Sequence, residues 1–95
     1  MSSNLNSTII SYLSKYRPER IGIFGSFARG DNNSESDLDL LVTFRQTLSL
    51  LDLVRIEREL SELLGIKVDL LTEGALKNQK LRSYIMRDIQ IIYEW

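Results

Sequence analysis

The sequence predicts an α/β fold, a small mixed sheet with helices on one face. Three observations carry that expectation. Segments with apolar residues at helical spacing alternate with short β-branched or apolar runs. Glycine, proline and clusters of Asn, Asp and Ser punctuate the boundaries between them. The 95 residues, 43 % hydrophobic and 26 % charged, have the balance of one globular core. A prior of roughly 150 residues per domain then leaves room for a single domain over residues 1–95.

Leu5, Ile9, Tyr12, Leu13 and Tyr16 recur at helical spacing and Pro18 stops the pattern, so a first helix is expected over residues 4–16. Residues 20–24 read as a strand, ended by a tight turn at Gly25 and Ser26. One helical turn over 27–30 and a polar surface loop over 31–36 follow. Residues 37–42 alternate charge and hydrocarbon and then become fully apolar, as a strand does whose start is exposed and whose end is buried. Leu50, Leu53, Val54, Leu60 and Leu64 keep the helical period of a second helix, with Glu57 as its one charged exception and Gly65 as its stop. A third strand over 66–71, a third helix over 75–87 and a closing strand at Ile89, Ile91 and Tyr93 complete the order. The helices are expected to cover one face of the sheet, with the carboxylates at the open edge of the other. Tyr12, Tyr16, Tyr84 and Tyr93 carry no pattern beyond packing.

Composition removes whole classes of function. Twelve Lys and Arg against 13 Asp and Glu give a net charge of −1 with no dense basic block, which disfavours direct binding of long nucleic acid. Without cysteine there is neither a disulfide framework nor a thiolate metal site, which suits a reducing cytoplasm. Without histidine there is no Ser-His-Asp or Cys-His catalysis and no imidazole-bound zinc. Any metal must be a hard cation on oxygen ligands, namely Mg²⁺, Mn²⁺ or Ca²⁺. Residues 1–16 have no long apolar run, so neither a signal peptide nor a membrane span is expected.

The chemistry concentrates at three places. Asp37 and Asp39 stand two apart on a strand, so their carboxylates share one face while Leu38 points into the core. Their repulsion calls for a divalent cation. Asp69 repeats the pattern between Val68 and Leu70, and a neighbouring strand would bring it beside the pair to share one or two Mg²⁺ ions. Gly25 and Ser26 lie between a strand and a helical turn, where backbone N–H groups and a hydroxyl accept phosphate oxygens, and Arg29 adds positive charge toward a triphosphate. Donors that grip a triphosphate and metals that neutralise attacking and leaving oxygens are the parts of phosphoryl transfer. The crowded oxygens after Asp31 do not make an EF-hand, because Ser36 takes the place of the required glycine and Val42 that of the glutamate.

Gly25 and Ser26, ten further residues, Asp37-Leu38-Asp39, and Asp69 on a later strand resemble the signature of the DNA polymerase β-type nucleotidyltransferases. The strings Gly25-Ser26-Phe27-Ala28-Arg29-Gly30 and Ser36-Asp37-Leu38-Asp39-Leu40 resemble the minimal nucleotidyltransferases (MNT proteins) in particular. The resemblance implies the polymerase β-type fold and metal-dependent transfer of AMP from ATP with pyrophosphate leaving. Asp37 and Asp39 would hold two Mg²⁺ ions, and Asp69 would bind the catalytic one and help deprotonate the acceptor. It further implies an antitoxin that silences a HEPN-domain ribonuclease toxin by modifying a tyrosine on it. Phe27 stands where many relatives have arginine, one positive charge fewer near the triphosphate. With no room for an acceptor-binding domain, the acceptor is expected to be a docked protein or a small molecule. An antitoxin that masks its toxin by binding alone remains the alternative from a different class.

Overall fold

A computed structural model describes residues 2–95. The chain forms α1 (Ser2–Leu13), β1 (Pro18–Phe24), α2 (Ser26–Arg29), β2 (Leu38–Phe44), α3 (Leu50–Leu64), β3 (Val68–Thr72), α4 (Gln79–Asp88) and β4 (Gln90–Glu94). The final turn expected of the first helix tightens into a 3₁₀ segment, Ser14–Tyr16, which ends where Arg17 takes a left-handed conformation (φ 58°) ahead of Pro18.

Helix α3 is fixed at both ends by local chemistry. Ser49 Oγ accepts from the Asp52 N–H at 3.1 Å and Asp52 returns the contact to the Ser49 N–H at 3.0 Å, a reciprocal cap. Gly65, at φ 69°, closes the other end. The third long helix starts later than the sequence pattern suggested. Residues Glu73–Ala75 form a separate 3₁₀ turn, and α4 begins only after Asn78, whose side chain caps the Leu81 N–H at 3.0 Å. Gly74 is a poor helix former and Asn78 a good N-cap, so the break follows from local preference.

The four strands lie in the order β3-β2-β1-β4. β1 is antiparallel to both β2 and β4, whereas β2 and β3 run parallel with α3 as their crossover. Beneath α1 and α3, Ile9 and Leu13 meet Ile56 and Leu60 over Ile21, Leu38, Leu40 and Val42, all fully buried. Removing such side chains from water at about 25 cal/mol per Å² is the main force holding the layers together.

The expectation of helices on one face needs a correction. α1 and α3 do cover one face, but α4 lies on the other, where Ile85 and Leu76 pack against Leu41 with Phe24, Leu71 and Met86 around them. The physical reason is visible in β2 itself. Leu40, Leu41 and Val42 are consecutive and all buried, and a strand buried on both faces needs cover on both. The carboxylates therefore do not sit on a bare face but beside α4. No helix among the described residues is long and apolar enough to cross a membrane.

Candidate functional site

The site grows from the end of β1. After Phe24 the backbone turns through Gly25, at φ 75° and ψ −151°, a conformation essentially restricted to glycine. The Gly25 carbonyl then accepts the N–H groups of Ala28 and Arg29, each at 3.1 Å, which winds the single turn of α2. Gly30, at φ 81°, ends it. Glycine is required at position 25 for a second reason. A β-carbon there would overlap Asp39 Oδ2, so the turn and the carboxylate are in direct contact.

Asp39 reaches that contact from the middle of the sheet. In register it pairs with Phe24 on β1 and with Asp69 on β3, so the two aspartates stand side by side on parallel strands. Asp37 precedes β2 by one residue and shares the Asp39 face, while Leu38 between them is fully buried on the opposite side. The two-residue period thus places the pair as the sequence suggested.

A cavity of about 420 Å³ opens at this point, lined by Gly25, Ser26, Arg29, Asp37 and Asp39 together with residues of α4. Five of the six residues singled out by sequence therefore share one hollow. Asp69 does not line it. It flanks Asp39 on the side away from β1, so the carboxylate row runs out of the cavity toward the β3 edge.

Electrostatics mark the same row. Burial, then the charges of Asp69 and Asp37, push the Asp39 carboxyl above its ordinary value, with Arg29 opposing. Asp69 is also raised, chiefly by burial, with Lys67 opposing and with Asp37 and Glu57 adding to the rise. Partial relief comes from Lys67, whose Nζ lies 3.8 Å from Asp37 Oδ2 but is largely exposed. Arg29 stands at the rim, 3.2 Å from Asp31 and 3.9 Å from Asp88, and the hydrogen bond and charge of Asp31 hold its proton more tightly than usual.

The site's fit to a metal can be judged from these contacts. Half-buried carboxylates that repel one another, beside a glycine turn that leaves room for close approach, suit a hard divalent cation. Among the described residues no three acidic groups converge into a ready-made cage. Mg²⁺ does not require one, since it usually binds through one or two carboxylates and takes its remaining ligands from water and substrate phosphates.

The wall contributed by α4 was not foreseen. Leu81, Tyr84, Ile85 and Asp88 follow the i, i+3, i+4, i+7 pattern along one helix face and line the cavity opposite Gly25 and Ser26. Tyr84, expected only to pack, is 59 % exposed at this wall. The helical period was legible in the sequence, but not the surface that this face would meet.

A carboxylate row leading from a glycine turn on a mixed sheet brings together groups of the kind that phosphoryl transfer uses, acceptors for hard cations and a turn open to phosphates. The chain belongs to the nucleotidyltransferase domain family, whose model matches residues 7–92. A Methanocaldococcus jannaschii protein named as a candidate protein adenylyltransferase is 43 % identical over 75 residues, covering 79 % of this chain and 76 % of the relative. Protein adenylyltransferase MntA of Thermococcus cleftensis is 41 % identical over 75 residues, covering 79 % and 75 %. The solved complex of a tri-AMPylated Shewanella oneidensis HEPN toxin with MNT antitoxin matches in fold, with a TM-score of 0.80 over 100 % of this chain and 74 % of the matched one, at 20 % identity. The polymerase β-type fold expected from the motif is thereby established, and the chain is a nucleotidyltransferase.

Proposed function

We propose that this domain, residues 1–95, transfers AMP from Mg²⁺-ATP to a protein acceptor, a tyrosine of a cognate HEPN ribonuclease toxin in the cytoplasm, and so acts as its antitoxin. The observation that carries the reading is the contact between the Gly25 turn and Asp39 in a cavity shared with Asp37, Ser26 and Arg29. The likeness to protein adenylyltransferase MntA and to an MNT antitoxin fold solved with an AMPylated HEPN toxin supports the acceptor class.

In this reading the backbone around Gly25, the Ser26 hydroxyl and Arg29 bind the triphosphate. Asp37 and Asp39, with Asp69 beside them, would hold two Mg²⁺ ions, which when bound neutralise charge on the phosphates and on the departing pyrophosphate. The acceptor oxygen forms a bond to the α-phosphorus, the bond from that phosphorus to the bridging oxygen breaks, and pyrophosphate leaves. Asp69, in register with Asp39 and outside the cavity lining, would help take the acceptor's hydroxyl proton. Leu81, Tyr84 and Ile85 of α4 keep water from one flank of the donor.

The test is transfer of label from ATP carrying a labelled α-phosphate, with Mg²⁺, to the protein encoded next to this one. Asp39→Asn should abolish labelling and leave the fold intact. Labelling at the parental rate by that variant would remove the metal assignment. A partner that is bound and inhibited without label would instead make this a masking antitoxin.

A further inference from the structure

Glu57 interrupts the apolar period of α3, standing between Ile56 and Leu60, which are both fully buried. The structure gives it a specific contact. Glu57 Oε2 accepts the backbone N–H of Leu70 at 2.8 Å, and one helical turn later Ser61 Oγ accepts the N–H of Val68 at 2.9 Å while donating to the Glu57 carbonyl at 2.7 Å. These two N–H groups belong to β3, the strand at the sheet edge, which among the described residues has β2 as its only neighbour. They flank Asp69, the residue in register with Asp39.

An edge strand held on one side alone frays readily, because its outward N–H groups have water as an equal partner. A charged acceptor makes a stronger bond to a backbone N–H than a neutral one does. We propose that Glu57 is a positioning residue, clamping the Leu70 amide so that Asp69 is held beside Asp39 during transfer. Ser61 serves the same strand one residue before Asp69. The inference rests on the reading that Asp69 acts in AMP transfer, and it places part of the site's precision in a helix that touches neither nucleotide nor cavity. A glutamate in the helix stripe is then explained by what it does to the next strand rather than by solvation.

The experiment compares the parental protein with Glu57→Ala, Glu57→Gln and Asp69→Asn, using steady-state AMP transfer and amide hydrogen exchange of Leu70 in the same samples. Glu57→Ala should lower kcat by at least about tenfold, as ångström-scale misplacement of a reacting group does, with KM for ATP nearly unchanged. Leu70 should exchange faster in that variant. Glu57→Gln keeps an acceptor oxygen and should restore both kcat and amide protection in large part. If Glu57→Ala transfers AMP at the parental rate, or leaves Leu70 exchange unchanged, the proposal is overturned. Parental-rate transfer by Asp69→Asn would instead remove the role of Asp69, and the exchange data would still decide whether Glu57 holds the strand.

Discussion

Replacing Gly25 with alanine strikes the joint where backbone and carboxylate meet, and its two consequences can be sized separately. At φ 75° and ψ −151° an L-residue is strained whatever space surrounds it, at a cost of roughly 1–3 kcal/mol. Taking about 2 kcal/mol, and about 4–8 °C per kcal/mol for a domain of this size, Tm should fall by about 8–16 °C. The second consequence is local, since the new β-carbon claims the position of Asp39 Oδ2 and pushes that carboxylate aside. On the proposed role of Asp39, a displacement on the order of an ångström in its carboxylate should cost roughly 100-fold in AMP transfer. Gly30 supplies the control. It also has positive φ, at 81°, but nothing lies within 4 Å of a β-carbon there. Gly30→Ala should therefore show strain of about 1–2 kcal/mol and keep its activity. Thermal unfolding and labelled-ATP transfer on both variants check the argument. Equal activity in the two alanine variants would refute the claim that Gly25 exists to admit Asp39.

Two further outcomes follow from the charges. Asp39 and Asp69 are raised above the ordinary carboxylate value of 3.8, so the native state holds protons more tightly than the unfolded chain, and these groups take stability away as pH rises from about 4 toward neutrality. In a chelator, Asp39→Asn should accordingly gain Tm over the parental protein, more at pH 7 than at pH 4, and added Mg²⁺ should stabilise the parental protein more than the variant. A gap between the two that does not depend on pH would count against the raised Asp39 carboxyl, for which burial is the larger cause and the neighbouring carboxylates the smaller. At the opposite end of the sheet, Glu73 is a hub. It accepts from Thr43 Oγ1 at 2.6 Å and meets Arg20 at 3.2 Å and Arg82 at 3.6 Å. Glu73→Ala leaves two guanidinium groups and a hydroxyl without their shared acceptor, and after allowance for their partial exposure should cost about 2 kcal/mol, read by urea unfolding. A loss well under about 0.5 kcal/mol would mean that solvent already satisfies these groups.

Much of the site was legible because its geometry is local. Asp37 and Asp39 share a face through the two-residue strand period, and Leu38 is buried by the same rule. Gly25 and Ser26 were readable as a turn because a strand ended there. The late start of α4 is signalled locally by Gly74 and by the capping residue Asn78, whereas the apolar period alone runs back through Asn78 to residue 75. The burial of β2 on both faces was written in Leu40, Leu41 and Val42, yet nothing local said which helix would supply the second cover.

The sequence by itself determined which groups could do chemistry. With no cysteine or histidine, only carboxylates, hydroxyls, backbone and cations remained, and their spacing set the faces on which they stand. Only the tertiary structure decided who their neighbours are. That Asp39 meets Asp69, that α4 walls the cavity, and that Glu57 reaches the Leu70 amide depend on strand order, register and helix placement. Such relations join residues far apart in the chain, and they are selected by which arrangement buries the most apolar surface while pairing the backbone groups, a condition on the whole domain rather than on any one segment.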